Sequence, residues 1–164
     1  MPLDQIANIA EISAAVLVIV SLIYVGIQIQ QNTDTLKLST AHNTAEDFSA
    51  PYLLIAERGE VADIFLRGMQ DIEALEPVER LRFYAYFHKF FRTYENAYYQ
   101  FRRGALEADP FEGLTQQLVM LKSLPGVQTY WQDRKDWYNK KFQEYVDNEI
   151  MPIEGKESYK LAGT

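Results

Sequence analysis

A long run without charged side chains, from Ile12 to Thr33, limits the folds open to this chain. Its eighteen residues from Ile12 to Ile29 are mostly aliphatic. At ~1.5 Å of rise per residue they form about 27 Å of α-helix, close to the ~30 Å hydrocarbon core of a bilayer. We therefore predict a transmembrane anchor helix over residues 1–33, a soluble domain over 34–150 and a flexible C-terminal tail over 151–164.

Two other interpretations of the run are a cleaved signal peptide and a buried core helix. The first eleven residues contain no Lys or Arg, and the run ends in the mostly polar sequence Gln-Ile-Gln-Gln-Asn at 28–32 rather than at a small-residue cleavage site. Both features favour a retained anchor over a signal peptide. A domain of this size rarely has room for a helix that is buried on every side, so an anchor is also favoured over a core helix.

Charge is concentrated after the run, where all 16 basic residues and 21 of the 23 acidic residues lie. This part carries a net charge of −5 and should repel nucleic acid, so we expect no nucleic-acid partner. The absence of cysteine excludes disulfides and thiolate metal sites. Lys37 is the only basic residue close to the run, which favours a cytoplasmic position for the soluble domain by the positive-inside rule.

The residues after the run have helical periodicity and no strand-like alternation, which predicts an all-α fold. We expect the anchor to be followed by a soluble bundle of about five helices. Because neither Gly nor Pro occurs between Ile27 and Ala50, the first helix should continue as a juxtamembrane helix. Pro51 is expected to kink or end it, and Gly59 to provide a left-handed C-cap.

Later helix boundaries are predicted from proline, glycine and asparagine. The longest soluble helix contains ten aromatic residues in twenty-seven, which places it at the centre of the bundle. Its expected inward stripe is Phe83, Phe87, Phe90, Tyr94, Ala97, Tyr98 and Phe101. The expected boundaries are a short helix over about 60–69, the long helix from Pro77 to about Arg103 with Gly104 after it, a helix from Asp109, a break at Pro125–Gly126 and a last helix capped by Asn139.

Small and polar residues gather on one face of the predicted anchor. Helices in hydrocarbon associate through close packing of small residues and through hydrogen bonds, so this face predicts self-association or docking on another membrane protein. The alternative is a chance arrangement on a plain anchor. The residues that we expect to mediate association are Ala7, Glu11, Ala14, Ser21 and Gln28.

Glu11 has two possible positions relative to the bilayer. If the membrane segment starts at Ile12, Glu11 is an interfacial carboxylate stabilised by the helix dipole. If the segment starts at Ile6, Glu11 lies about 7 Å inside the membrane, where an ionisable group is costly and usually functional. An oligomeric ion-conducting assembly lined by Glu11, Ser21 and Gln28 is therefore a further hypothesis.

A second candidate site lies on the long aromatic helix, where His88, Arg92, Glu95 and Tyr99 recur at spacings of four, three and four. These spacings place the four side chains on one edge of the helix. Such an edge could line a small-ligand pocket of a sensory module. The alternative is a hydrogen-bond network that ties two helices together.

Catalytic and metal-binding motifs are not recognisable in the sequence. There is no glycine-rich phosphate loop, no H-E-x-x-H and no G-x-S-x-G motif. His42 and Glu46, spaced i, i+4, are expected to form a solvated pair rather than a metal site. We therefore predict no enzyme, no metal and no cofactor, and a scaffold or partner-docking role for a homo-oligomeric membrane protein.

Four segments of the chain form recognisable motifs: Ile9–Ile12, Ser21–Tyr24 and Ile27–Thr33 near the N-terminus, and Phe91–Gln100 in the centre, with the sequence FRTYENAYYQ. Together they resemble a group of uncharacterised bacterial membrane-anchored helical proteins. The likeness extends over about residues 6–147, although Gln30 stands where that group often has a basic residue. The resemblance implies a single-pass protein of the bacterial inner membrane, and it assigns no chemistry to any residue.

Overall fold

A computed structural model describes residues 2–154, except for five side chains between residues 3 and 10. Within this range the chain is helical and contains no strand, so the predicted all-α fold is confirmed. The side chain of Ala7 and residues 155–164, which include most of the predicted flexible tail, lie outside the described part. The chain divides into two compact units, residues 1–39 and 40–164, and each is described separately.

The first helix, α1, runs from Leu3 to Glu57 without interruption. The predicted continuation beyond the apolar run is therefore confirmed. Pro51 lies inside α1 and does not end it, although a proline nitrogen cannot donate the usual helical hydrogen bond. The helix thus contributes residues to both units.

In the first unit, every side chain from residue 11 to residue 36 is exposed. Among the described residues, α1 is the one helix long and apolar enough to span a membrane, and none of its most apolar eighteen-residue window is buried. The structure does not show the buried core helix of the alternative interpretation, because none of these side chains is buried.

The second unit contains the C-terminal part of α1 and five further α-helices. The longest, α3, packs against α2, α4 and α5. Its predicted inward residues from Phe83 to Tyr98 are buried, and Phe101 is half-buried. Its predicted central position is therefore confirmed. The helices are α2 (Gly59–Gln70), α3 (Pro77–Arg102), α4 (Ala108–Leu121), α5 (Pro125–Arg134) and α6 (Lys140–Tyr145), with a π-helical turn over Val146–Ile150.

Of two glycines expected to end helices, Gly104 does so and Gly59 does not. Gly59 is the first residue of α2 rather than a left-handed cap, because Arg58 before it is extended and already breaks the helix. Gly104 follows the end of α3, as expected, and its φ of 71° lies in the left-handed region. The predicted break near Pro125 is present, and Pro125 itself opens α5 as a first-turn proline.

Helices α2 and α5 pack closely at two glycines. A Cβ atom added to Gly126 would lie 1.8 Å from the carbonyl oxygen of Gly68. A Cβ atom added to Gly68 would lie 2.6 Å from the ring of Phe83. The crossing of α2 and α5 therefore depends on the absence of a side chain at Gly126, and the packing of α2 against Phe83 of α3 depends on its absence at Gly68.

Two sets of polar contacts connect segments of the helical domain. Arg67 on α2 donates two hydrogen bonds to Glu79 at the start of α3, at 2.7 and 3.0 Å. Near the last described residues, the buried Lys122 donates to the carbonyl oxygen of Met151, at 2.6 Å, and to that of Ile153. The first residues of the predicted tail are therefore bonded to the end of α4.

Candidate functional site

The polar edge of α3 contacts the segment that precedes α6. Arg92 Nη1 donates to Glu95 Oε2 at 2.5 Å, and Arg92 Nη2 donates to the carbonyl oxygen of Trp137 at 2.7 Å. Glu95 Oε1 accepts from the backbone N–H of Asn139 at 2.7 Å. Glu95 is only 7% exposed, and both of its oxygens are bonded.

The local sequence explains why these groups meet. Arg92 and Glu95 are three residues apart on α3, so they share a face. Asn139 is the N-cap of α6 and accepts a hydrogen bond from Lys141 N through its side chain. Glu95 therefore satisfies a backbone donor at the start of α6, and the Arg92–Glu95 pair ties α3 to that segment.

His88 joins the same network through an aromatic neighbour. Its Nδ1 lies 3.5 Å from the Tyr138 hydroxyl, which also bonds the Tyr130 hydroxyl at 2.7 Å. The ring of Trp137 packs edge-on against His88, with 5.6 Å between centroids. Burial, together with the positive charge of Arg92, lowers the pKa of His88 below its ordinary value of 6.5.

We expect this lowered pKa to make the domain less stable in mild acid. The unfolded chain binds the proton on His88 more readily than the folded chain does. The contribution of neutral His88 to the free energy of unfolding is therefore complete above about pH 6.5, and it is lost as the pH falls through the folded-state pKa. His88→Gln should therefore reduce the loss of unfolding free energy between about pH 7 and about pH 5, measured by urea denaturation. His42→Gln, at a side chain that is 71% exposed, is the control. An unchanged pH dependence in His88→Gln would contradict the assignment.

Tyr99, the fourth residue of the predicted edge, does not join the network. Its hydroxyl is buried and has no hydrogen-bond partner within residues 2–154. Its ring packs against Tyr98, with 5.4 Å between centroids, and burial raises its pKa. The structure thus brings together three of the four predicted residues.

The residues of the predicted association face that the structure describes are exposed on α1. Ser21 donates to the carbonyl oxygen of Leu17 at 2.8 Å, and Gln28 donates to the Tyr24 hydroxyl at 3.3 Å. The Ser21 hydroxyl uses its one proton within the helix, and its oxygen can still accept a hydrogen bond from a neighbouring helix. Glu11 and Ala14 are likewise exposed.

The possible metal ligands are sparse in the part of the chain that the structure describes. It holds no group of three or more His, Cys, Asp or Glu side chains arranged to bind a metal ion. His42 Nε2 lies 3.4 Å from Glu46 Oε1, and both side chains are about 70% exposed. They form the surface pair that the i, i+4 spacing favoured.

An apolar groove in the second unit was missed by the sequence reasoning. It has a volume of about 610 Å³ and lies between the end of α1, α2 and α3. Phe65 and Tyr86 line it and also line a smaller neighbouring cleft of about 230 Å³. No single segment carries a signal for this groove, because three helices form it.

Comparison with known proteins gave no match among family models, curated proteins or solved structures.

Proposed function

We propose that this chain is a non-enzymatic, single-pass protein of the bacterial inner membrane. It self-associates through α1 and presents its helical domain, on the cytoplasmic side, as a scaffold or docking module for a partner. The observation that carries the proposal is the exposure of every side chain from residue 11 to residue 36, across a window apolar enough to span a bilayer. So much contiguous apolar surface is rarely left in contact with water.

Self-association is supported by the chemistry of one face of α1. Lipid tails are as apolar as Leu or Ile, so apolar side chains alone give two membrane helices no reason to pair. Small side chains such as Ala14 allow backbones to approach, and Ser21 and Gln28 can bond across the contact. The opposite face, with Val16, Ile19 and Ile23, offers only aliphatic contacts.

Separate observations support the proposed location and the absence of catalysis. Lys37 favours a cytoplasmic domain, and the family resemblance favours the inner membrane. Arg92 and Glu95, which belong to the predicted ligand-binding edge, are hydrogen-bonded to the backbone of residues 137 and 139. The alternative of a ligand-binding or sensory site at this edge requires a ligand that replaces those backbone partners.

The test is the mass of the full chain in lipid nanodiscs. Wild type should give a defined oligomer, and Ser21→Leu should shift it towards monomer, because the larger side chain separates the helices and removes a hydroxyl. Val16→Leu, which enlarges the opposite face, is the matched control and should leave the oligomer intact.

A monomeric wild type, or equal behaviour of Ser21→Leu and Val16→Leu, would contradict self-association through this face. A defined oligomer would also allow a test of the conducting alternative. In planar bilayers, that alternative requires a current that disappears in Glu11→Gln, whereas a scaffold gives no current in either protein.

A further inference from the structure

The apolar groove of the second unit has the size and lining of a small-molecule site. Its volume of about 610 Å³ lies within the range of about 300–1,000 Å³ that is typical of such sites. Leu54 on its wall remains 52% exposed, whereas Phe65 at its base is 4% exposed. The apolar lining residues are Ala50, Pro51, Leu54, Val61, Phe65, Ala85 and Tyr86.

The rim of this groove is basic, although the chain as a whole carries a net charge of −7. Arg58, Arg82 and Lys89 line it, against a single acidic residue, Glu60. Lys89 is paired with Asp47 at 3.2 Å. Neither Arg58 nor Arg82 lies within salt-bridge distance of a carboxylate in residues 2–154.

We propose that this groove binds one molecule of a long-chain fatty acid. The alkyl chain lies along the apolar floor, and the carboxylate pairs with Arg58 and Arg82. A guanidinium group matches a carboxylate geometrically, because it offers two parallel N–H donors. An apolar floor beside two guanidinium groups that form no salt bridge within residues 2–154 is complementary to a ligand that is apolar along its length and anionic at one end.

The inference is independent of self-association through α1, because every residue that lines the groove belongs to the second unit. A neutral lipid would leave the two arginines without an anion. An acidic peptide would satisfy them, but it would also bring backbone polar groups onto an apolar floor that offers them few partners.

The test is photo-crosslinking of the full chain in phosphatidylcholine nanodiscs. The probe is a long-chain fatty acid with a diazirine near the methyl end, compared with the fatty alcohol of the same length. Labelled peptides are located by mass spectrometry. Both probes enter the bilayer, so labelling of residues 12–29 serves as an internal reference for the amount of probe present.

We expect the fatty acid to label peptides that contain Leu54, Val61 or Tyr86 at least five-fold more than the alcohol does, relative to residues 12–29. Arg58→Gln combined with Arg82→Gln should remove most of that difference. Arg102→Gln, an exposed arginine at the other end of α3, is the matched control and should keep it.

Equal labelling of the groove by acid and alcohol would overturn the proposal, as would labelling confined to other parts of the domain. An unlabelled groove, as expected if another protein segment or a second copy covers it, would also overturn it. The comparison of acid with alcohol uses wild-type protein, so the test remains decisive if the double variant fails to fold.

Discussion

Gly126→Ala is expected to destabilise the helical domain by about 3 kcal/mol or more, at the upper end of the cost of overpacking. The added methyl group would lie 1.8 Å from the carbonyl oxygen of Gly68. That oxygen is a backbone atom of another helix and cannot rotate away, so α2 and α5 must separate. Separation would disturb the packing of Tyr130 and Trp131, which are fully buried on α5. Urea denaturation of the full chain, followed by circular dichroism, measures the effect.

Gly113→Ala is the matched control for this substitution. Gly113 is exposed on α4, and a Cβ atom there would meet nothing within 4 Å. Since alanine is favoured over glycine in a helix by up to about 1 kcal/mol, this variant should be slightly more stable than wild type. A small effect of Gly126→Ala, similar to that of Gly113→Ala, would show that α2 and α5 do not cross at their backbones.

Glu95→Ala is expected to cost about 2–3 kcal/mol of unfolding free energy. The substitution leaves the backbone N–H of Asn139 without its acceptor and removes the charged partner of Arg92, and a buried unpaired donor alone costs about 1–3 kcal/mol. Glu95→Gln keeps an oxygen for Asn139 and should cost clearly less. Chemical denaturation of the three proteins provides the comparison.

The Glu95 series also separates the two interpretations of the α3 edge. If the network is structural, Glu95→Ala lowers stability in the absence of any added compound. If Glu95 also holds a ligand, that ligand should raise the melting temperature of wild type, and Glu95→Ala should abolish the shift. A ligand-induced shift that depends on Glu95 would therefore favour the sensory alternative.

Local chemistry determined most of the features that could be predicted from the sequence. Pro77 and Gly104 delimit α3 because one suits a first helical turn and the other tolerates a positive φ. The aromatic stripe of α3 identified its buried side because burial follows helical periodicity. At Gly59 the same local reasoning failed, because a glycine after Arg58 suits the start of a helix as well as the end of one.

Features that depend on contacts between distant residues were not predictable. Gly68 and Gly126 are far apart in sequence, and neither indicates which partner it approaches. The spacing of His88, Arg92 and Glu95 placed them on one edge, but their partners at residues 137 and 139 are backbone groups, which have no sequence signature. The apolar groove is formed by three helices, so no single segment could indicate it.

The most direct test of the central claim, self-association through one face of α1, is a cysteine scan of this helix. The natural chain has no cysteine, so single substitutions can be introduced one at a time into the full chain in nanodiscs. A disulfide forms only where two Cβ atoms approach to about 3.5–4.5 Å. We predict efficient linkage for Ala14→Cys, Ser21→Cys and Gln28→Cys, and weak linkage for Ile19→Cys and Ile23→Cys. Equal linkage at all five positions, or stronger linkage at 19 and 23, would contradict the account.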